Sequence, residues 1–326
     1  MLKLKLPSFG RKEEFPSQFF ALDPGGKVIK ILVLNASGGV VNAVGSRRIA
    51  RAGSEEEDRV NLKQAVAELR TDFPDASPSV VVGISGPYSL AFTTAVRSSM
   101  SKDVAELVSH ARKVARLSAE EELRQGLGEP KLQVSEMEAE ILEIKEVDKL
   151  EVFLFTSFAA EPYLAEQAQL IKSAGLSLWG FSSLPFNLAS ELAKSSSSGE
   201  GEELNALIFD IGGTKTEVSL IFGGQLMDTK SFWWNFKENG NPSAFLDLWL
   251  EAVSATLSAF EVEAFPVKIY LAGGAATFPG LLEVAASYPW SRDHHFEIAP
   301  EVIPLEEDRL PLSLGQVALR VNKEEG

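Results

Sequence analysis

The sequence predicts an α/β protein of two domains that face each other across a cleft. Three observations carry this. Phe20-Ala-Leu-Asp23-Pro-Gly25-Gly26 reads as an apolar strand that ends in an aspartate, turns on glycines and re-enters an apolar run over residues 28–34. Far along the chain, Ile208-Phe-Asp210-Ile-Gly212-Gly213-Thr214 repeats that build and is followed by a second apolar run over residues 218–222. Residues 268–281 then read as a buried strand, a Gly273-Gly274 turn and a helix start. Glycines let a backbone approach a ligand with its N–H groups aimed at phosphate oxygens. Aspartates can hold a divalent cation directly or through water. A helix N-terminus behind glycines suits a nucleotide's phosphates or sugar. Each piece alone also has an ordinary reading, because Asp-Gly turns join strands and glycine is common in βα loops. The order hairpin, hairpin, Gly-Gly-helix favours the ligand-binding reading.

That order resembles the actin-like ATPase superfamily, with its two phosphate motifs and its adenosine motif. Within it, Asp23-Pro-Gly-Gly-Lys-Val-Ile-Lys30 looks like the first phosphate motif of the type IV pilus assembly protein PilM and its relative FtsA. Asp210-Ile-Gly-Gly-Thr-Lys-Thr216 resembles their second phosphate motif, and Leu271-Ala-Gly-Gly-Ala-Ala-Thr-Phe-Pro-Gly-Leu281 their adenosine motif. Gly315-Gln-Val-Ala-Leu-Arg320 is similar to the closing helix of PilM-like chains. The resemblance implies an actin-like (ribonuclease H-like) two-domain fold, with an inserted subdomain in the first domain and a reduced second domain. It implies ATP contacts at Asp23, Gly25, Gly26, Lys30, Asp210, Gly212, Gly213, Thr214, Thr216, Gly273, Gly274 and Ala275, with Mg²⁺ near Asp23 and Asp210.

Taken in order, residues 1–18 read as a tail in which Leu2, Leu4 and Leu6 alternate with Lys3 and Lys5. It is either a leader without structure or a basic arm suited to anionic lipid. The first domain spans 19–194. A helix over 56–69 offers Val60, Leu62, Ala65, Val66 and Leu69 to the core, and residues 80–85 form a buried strand. An inserted subdomain over about 95–178 holds a charged helix, a half-exposed strand over 132–142, a strand over 153–158, and a helix over 161–174 capped by Gly175. A return helix follows over 184–193. Ser195-Ser-Ser-Ser-Gly-Glu-Gly-Glu-Glu203 is a polar linker, and the second domain runs from 204 to 326.

Composition bounds the function. The chain has 326 residues, of which 45% are hydrophobic and 24% charged, enough for a large core. Zero cysteines exclude disulfides and thiolate metal sites. A net charge of −15 disfavours nucleic acid, which needs a basic face. No apolar run reaches the ~18–20 residues of a membrane span. No Gly-x-Ser-x-Gly elbow starts a hydrolase triad. His294-His295 reads as a surface loop, since adjacent side chains diverge and no carboxylate sits at helical spacing from them.

Three departures from the family pattern bear on activity. Pro24 follows Asp23 and offers no N–H. Leu184 stands where the return helix of the family tends to carry a glutamate that positions the attacking water; leucine can do no such chemistry. Between the second hairpin and the Gly-Gly turn there are only residues 231–270, where the family places a whole subdomain with adenosine-holding charges. The aromatic run Phe232-Trp-Trp-Asn-Phe236 in that stretch reads either as core or as partner surface.

No catalytic residue is therefore assigned. The resemblance implies a cytoplasmic scaffold of a type IV pilus or related secretion machine. Such a protein binds the cytoplasmic tail of a bitopic inner-membrane assembly protein and other machine components, with ATP and Mg²⁺ weak or absent. Self-association is left open. The alternatives are an active actin-like ATPase or sugar-kinase-like phosphotransferase, whose motif resembles residues 210–215, and an FtsA-like division protein.

Overall fold

The computed structural model describes residues 15–98, 103–146, 149–196, 203–236 and 242–324. The basic arm, most of the polar linker and part of the loop after Phe236 lie outside the described residues.

The first half opens with three strands in antiparallel succession, β1 (Gln18–Pro24), β2 (Val28–Ser37) and β3 (Val40–Ala50). Helix α1 (Glu55–Asp72) leads to β4 (Ser79–Ile84), which lies parallel to β1. Next come β5 (Ser89–Arg97), α2 (Val104–Leu127), β6 (Val134–Glu146) and β7 (Leu150–Ala160). Their strands form a separate antiparallel sheet in the order β5-β7-β6. Helix α3 (Glu161–Ser173) and β8 (Ser177–Ser183) return the chain to the first sheet, whose order is β3-β2-β1-β4-β8.

Helix α4 (Leu184–Ser196) leads into the second half. This contains β9 (Ala206–Ile211), β10 (Lys215–Phe222), β11 (Gln225–Trp233), α5 (Pro242–Leu257), β12 (Lys268–Ala272), α6 (Leu281–Ser287) and β13 (Glu301–Pro304). Its sheet runs β11-β10-β9-β12-β13, with the antiparallel hairpins and parallel crossovers of the first. The duplication read from two short motifs thus extends to two whole five-stranded sheets. Between β11 and β12, α5 is the one helix among the described residues. Two helices, α7 (Arg309–Ser313) and α8 (Gly315–Glu324), then cross back to the first half.

Local chemistry sets these elements. β1 and β9 are central strands buried on both faces, so each reads as a continuous apolar run rather than an alternating one. Ser54 caps α1 by accepting the Glu57 N–H at 3.3 Å and donating to the Glu57 carboxylate at 2.9 Å. Four acidic residues in the first turn of α1 suit the positive end of its dipole. Gly175, at φ +76°, ends α3 as expected.

One face of the first sheet, Phe20, Leu22, Ile31 and Val33, packs on α1 and α3 through Leu62, Val66, Leu170 and Ile171. The outer face of the second sheet, Leu207, Phe209 and Val218, packs on α5 and α6. The two inner faces share a single cluster in which Phe19 and Leu32 meet Ile208 and Ile221, together with Phe186 of α4 and Val317 of α8.

The structure moves some details. Phe15, inside the expected tail, is buried against Phe19 and Trp179. The third sheet begins at Ser89, and α3, read within the insertion, packs on the first sheet. His294 is buried rather than on the surface. Its ring nitrogen lies 2.8 Å from Ser254 Oγ, and burial holds its pKa below the ordinary value.

Candidate functional site

The duplicated sheets bring their hairpin aspartates together. Asp23 ends β1 and Asp210 ends β9, and each senses the other's surroundings. Burial pushes the Asp23 carboxyl up to about 6, with Lys30 acting against the rise and the Asp210 charge adding to it. Asp210 is also raised by burial, against Lys215, Lys30 and a hydrogen bond from Ser85. Lys30 faces Asp23 across the β1–β2 ladder and donates to the Glu307 carbonyl at 3.0 Å. Gly273 adopts φ +91°, and a Cβ there would lie 2.5 Å from both Asp210 Oδ1 and the Ile211 carbonyl oxygen. Only glycine allows the β12 turn to wrap the end of β9 this closely. A Cβ on Gly274 would lie 4.0 Å from Lys30 Nζ, so Asp23, Lys30, Asp210, Gly273 and Gly274 line one cleft.

Four residues that the sequence did not assign to the site complete it. Lys215 Nζ donates to Ser85 Oγ at 2.5 Å. The Gly86 N–H donates to Glu217 Oε1 at 3.0 Å. Glu217 is 1% exposed, its Oε2 has no partner, and burial pushes its carboxyl up to about 7. The Ser85-Gly86 connection of the first domain is thus seated on β10 of the second. A signal for this existed in the sequence. In a strand, alternate side chains share a face. Lys215 and Glu217 therefore point to the cleft and Thr216 to the core, where its hydroxyl accepts from Trp249 Nε1 at 3.0 Å. Thr216, read as a nucleotide contact, lies away from the cleft.

Of the remaining site glycines, Gly26 and Gly213 sit where the two hairpin turns touch, while Gly25 and Gly212 lie against the Val28 and Lys215 carbonyls of their own hairpins. A Cβ on Gly26 would fall 2.2 Å from Thr214 Oγ1, and one on Gly213 would fall 2.5 Å from Lys27 Cγ and Cδ. Lys27 Nζ also donates to the Phe236 carbonyl. Turn one is held by Arg51, which pairs with Asp58 at 2.9 Å and donates to the carbonyls of Gly25 and Pro24. Turn two is held by the chain after β11, whose Trp234 and Phe236 N–H groups donate to the Thr214 and Gly213 carbonyls. The aromatic run divides accordingly. Phe236 is buried, Phe232 and Trp234 pack partly on the core, and Trp233 is 51% exposed at an edge-on contact with Tyr88. Tyr88 in turn stacks on Tyr163, whose hydroxyl is held well above the ordinary phenol range by burial and then by the Asp23 charge.

The turns and amides expected to meet ATP with Mg²⁺ are engaged with other parts of the chain. The turns are in direct contact, so a triphosphate would have to part them. The Gly212 N–H is bonded to the Lys215 carbonyl and the Ala275 N–H to the Ile211 carbonyl, each at 2.8 Å. Asp23 and Asp210 face the ammonium groups of Lys30 and Lys215. No group of three or more His, Asp or Glu side chains among the described residues is set to hold a metal ion.

The return helix has its own polar cluster. Leu184 is buried, and a Cβ on Gly83 would lie 2.5 Å from its Cδ2. Glu138 of β6 accepts from Ser182 Oγ at 2.6 Å and from the Ser183 N–H at 2.7 Å. Arg320 of α8 pairs with the same carboxylate at 3.1 Å and donates to Asn187 Oδ1 at 2.9 Å.

No family model matches the sequence, and no curated protein is similar enough in sequence to match it. Among solved structures, a chain of a PilM–PilN type IV pilus biogenesis complex superposes with a TM-score of 0.65 at 16% identity, over 93% of this chain and 99% of that one. The ethanolamine utilization protein EutJ of Carboxydothermus hydrogenoformans superposes with a TM-score of 0.50 at 12% identity, over 92% and 90% of the two chains. A Bacteroides thetaiotaomicron protein described as having an actin-like ATPase fold gives a TM-score of 0.43 at 10% identity, over 95% and 99%. The chain has the two-domain actin-like fold.

Proposed function

We propose that this protein is a scaffold of a type IV pilus or related secretion machine. In this role it binds the cytoplasmic tail of a bitopic inner-membrane assembly protein, and ATP binds weakly or not at all. The supporting observation is the end-to-end structural likeness to the chain of the PilM–PilN complex, combined with a cleft whose polar groups are largely satisfied by one another. No described helix is long and apolar enough to cross a membrane. In the proposed role the protein is held at the membrane by its partners.

The same geometry argues against a working ATPase. Hydrolysis needs a group that orients water and free donors for the γ-phosphate. Leu184 is packed in the core, and Ser182, Ser183 and Asn187 are engaged around Glu138. Each lost hydrogen bond to a charged phosphate weakens binding by roughly 1.5–3 kcal/mol. Losing two lowers affinity on the order of a hundredfold or more. The partner peptide carries lysine or arginine, which suits the net charge of −15.

Two measurements test this. Purified protein incubated with solubilised membranes should recover an inner-membrane assembly component, and recovery of none counts against the scaffold. Titration calorimetry with ATP and Mg²⁺ should give weak heats or none. Tight binding lost in Asp210→Ala, with steady phosphate release, would restore the ATPase.

A further inference from the structure

The contact between the two hairpin turns is reciprocal. In each turn a glycine is followed by a residue with a side chain, Gly26-Lys27 in the first and Gly213-Thr214 in the second. Thr214 sits on the bare backbone of Gly26, and the aliphatic stem of Lys27 lies along the bare backbone of Gly213. Any side chain at either glycine would collide, since the nearest atoms lie 2.2 Å and 2.5 Å from where a Cβ would stand. Lys27 then reaches past the turn to the Phe236 carbonyl, on the same segment that fixes turn two. The duplicated motif therefore produces a pair of knobs and sockets related by the duplication itself.

We infer that this interlock is a built-in clasp that holds the two domains together without a ligand. On this view Gly26 and Gly213 are sockets for the opposite turn, and Lys27 and Thr214 occupy the place between the turns where a polyphosphate would enter. Clasp and polyphosphate are then mutually exclusive. A ligand that binds only the parted turns shifts the population toward the open form, so nucleotide would open this cleft rather than close it. Other contacts across the cleft act in the same direction as the clasp. They include Gly86 N–H to Glu217, Lys215 to Ser85, Lys30 to the Glu307 carbonyl, and Arg48 with Glu307 at 2.6 Å. At the far end, the Ala91 N–H of β5 donates to Thr229 Oγ1 of β11 at 3.1 Å. The inference does not depend on the scaffold role: a chain that captures no membrane protein could still be clasped.

The absence of cysteine makes the test clean. In Gly26→Cys/Thr214→Cys the two Cβ positions would be 3.3 Å apart. That is slightly below the ~3.5–4.5 Å usual for a disulfide, so a parting of the turns by a few tenths of an ångström brings the pair into range. Diamide treatment of the full chain, followed by non-reducing gels and mass spectrometry of the linked peptides, should give near-complete cross-linking without nucleotide. Millimolar ATP with Mg²⁺, or inorganic tripolyphosphate, should slow the reaction or leave it unchanged. Cross-linking that is absent, or that forms only when ATP and Mg²⁺ are added, overturns the clasp. Should the cysteine pair fail to fold, Lys27→Gly/Thr214→Gly removes both knobs and should increase hydrogen exchange at the Gly86 amide. Unchanged exchange there also overturns it.

Discussion

Two buried carboxylate clusters in this molecule have the same chemistry and opposite characters. Around Glu138 the carboxylate is paired: Ser182, the Ser183 N–H and Arg320 all donate to it, and Asn187 joins Ser182 to Arg320, with Arg320 Nη1 the one nitrogen of that guanidinium left buried without a hydrogen bond. The guanidinium also lies 4.8 Å from the Phe186 ring centre. In the cleft, Asp23, Asp210 and Glu217 are all raised by burial, and Glu217 Oε2 has no partner. Burial with a full set of donors fixes a structure, whereas the one unpartnered oxygen of Glu217 leaves a local electrostatic strain that another state of the protein can relieve. The Glu138 cluster thus ties the inserted sheet, β8, α4 and α8 into one body. The cleft is the place where the two halves are held against that strain.

The comparison is broken most severely at Glu138. Glu138→Ala leaves Arg320 with only its longer, 3.6 Å pairing to Glu140 and removes the acceptor of the Ser183 N–H. Urea unfolding should show a loss of about 3–5 kcal/mol. A loss well below that would mean that the pairing seen around Glu138 contributes little.

Glu217→Gln should do the reverse. The folded carboxyl is raised from 4.5 to about 7, so the native chain binds the proton more tightly than the unfolded one. Below about pH 4.5 both states are protonated and the variant should match wild type. Between there and about pH 7 the wild type loses stability as pH rises, and above that range the whole penalty is present. At pH 8 the glutamine variant should be more stable by roughly 3 kcal/mol, with the acceptor for Gly86 retained. Stability curves of the two proteins that stay parallel from pH 4 to 8 would remove Glu217 from the account.

Thr216→Val gives the smallest effect and separates core from cleft. Removing the acceptor of the Trp249 indole should lower stability by about 1 kcal/mol. It should leave the pH dependence set by Glu217 unchanged. A changed pH slope would put Thr216 in the cleft after all.

The sequence carried the hairpins well because their signals are local. An aspartate at a strand end, glycines in the turn and a flanking apolar run all lie within a few residues. The return helix, the closing helix and Gly175 were legible for the same reason. Lys215 and Glu217 were readable in principle from strand alternation, but the motif resemblance drew attention to Thr216 instead. Glu138 and Arg320 were not readable at all. They are 182 residues apart, and neither carries a local mark of its partner. The same holds for Lys27, whose contacts lie on the second turn and the Phe236 carbonyl, far along the chain.

The shared core has a consequence for the order in which the chain is made. Val41 of β3 packs against Gly315, where a Cβ would lie 2.2 Å from Val41 Cγ1, and Leu34 and Phe186 share a cluster with Leu314 and Val317. The first sheet is synthesised early, yet its inner face is covered by helices that emerge only after the whole second sheet. A nascent chain therefore carries an uncovered apolar surface through most of its synthesis. Its first half should be the segment that chaperones hold longest, and the part that aggregates when synthesis stops before α8.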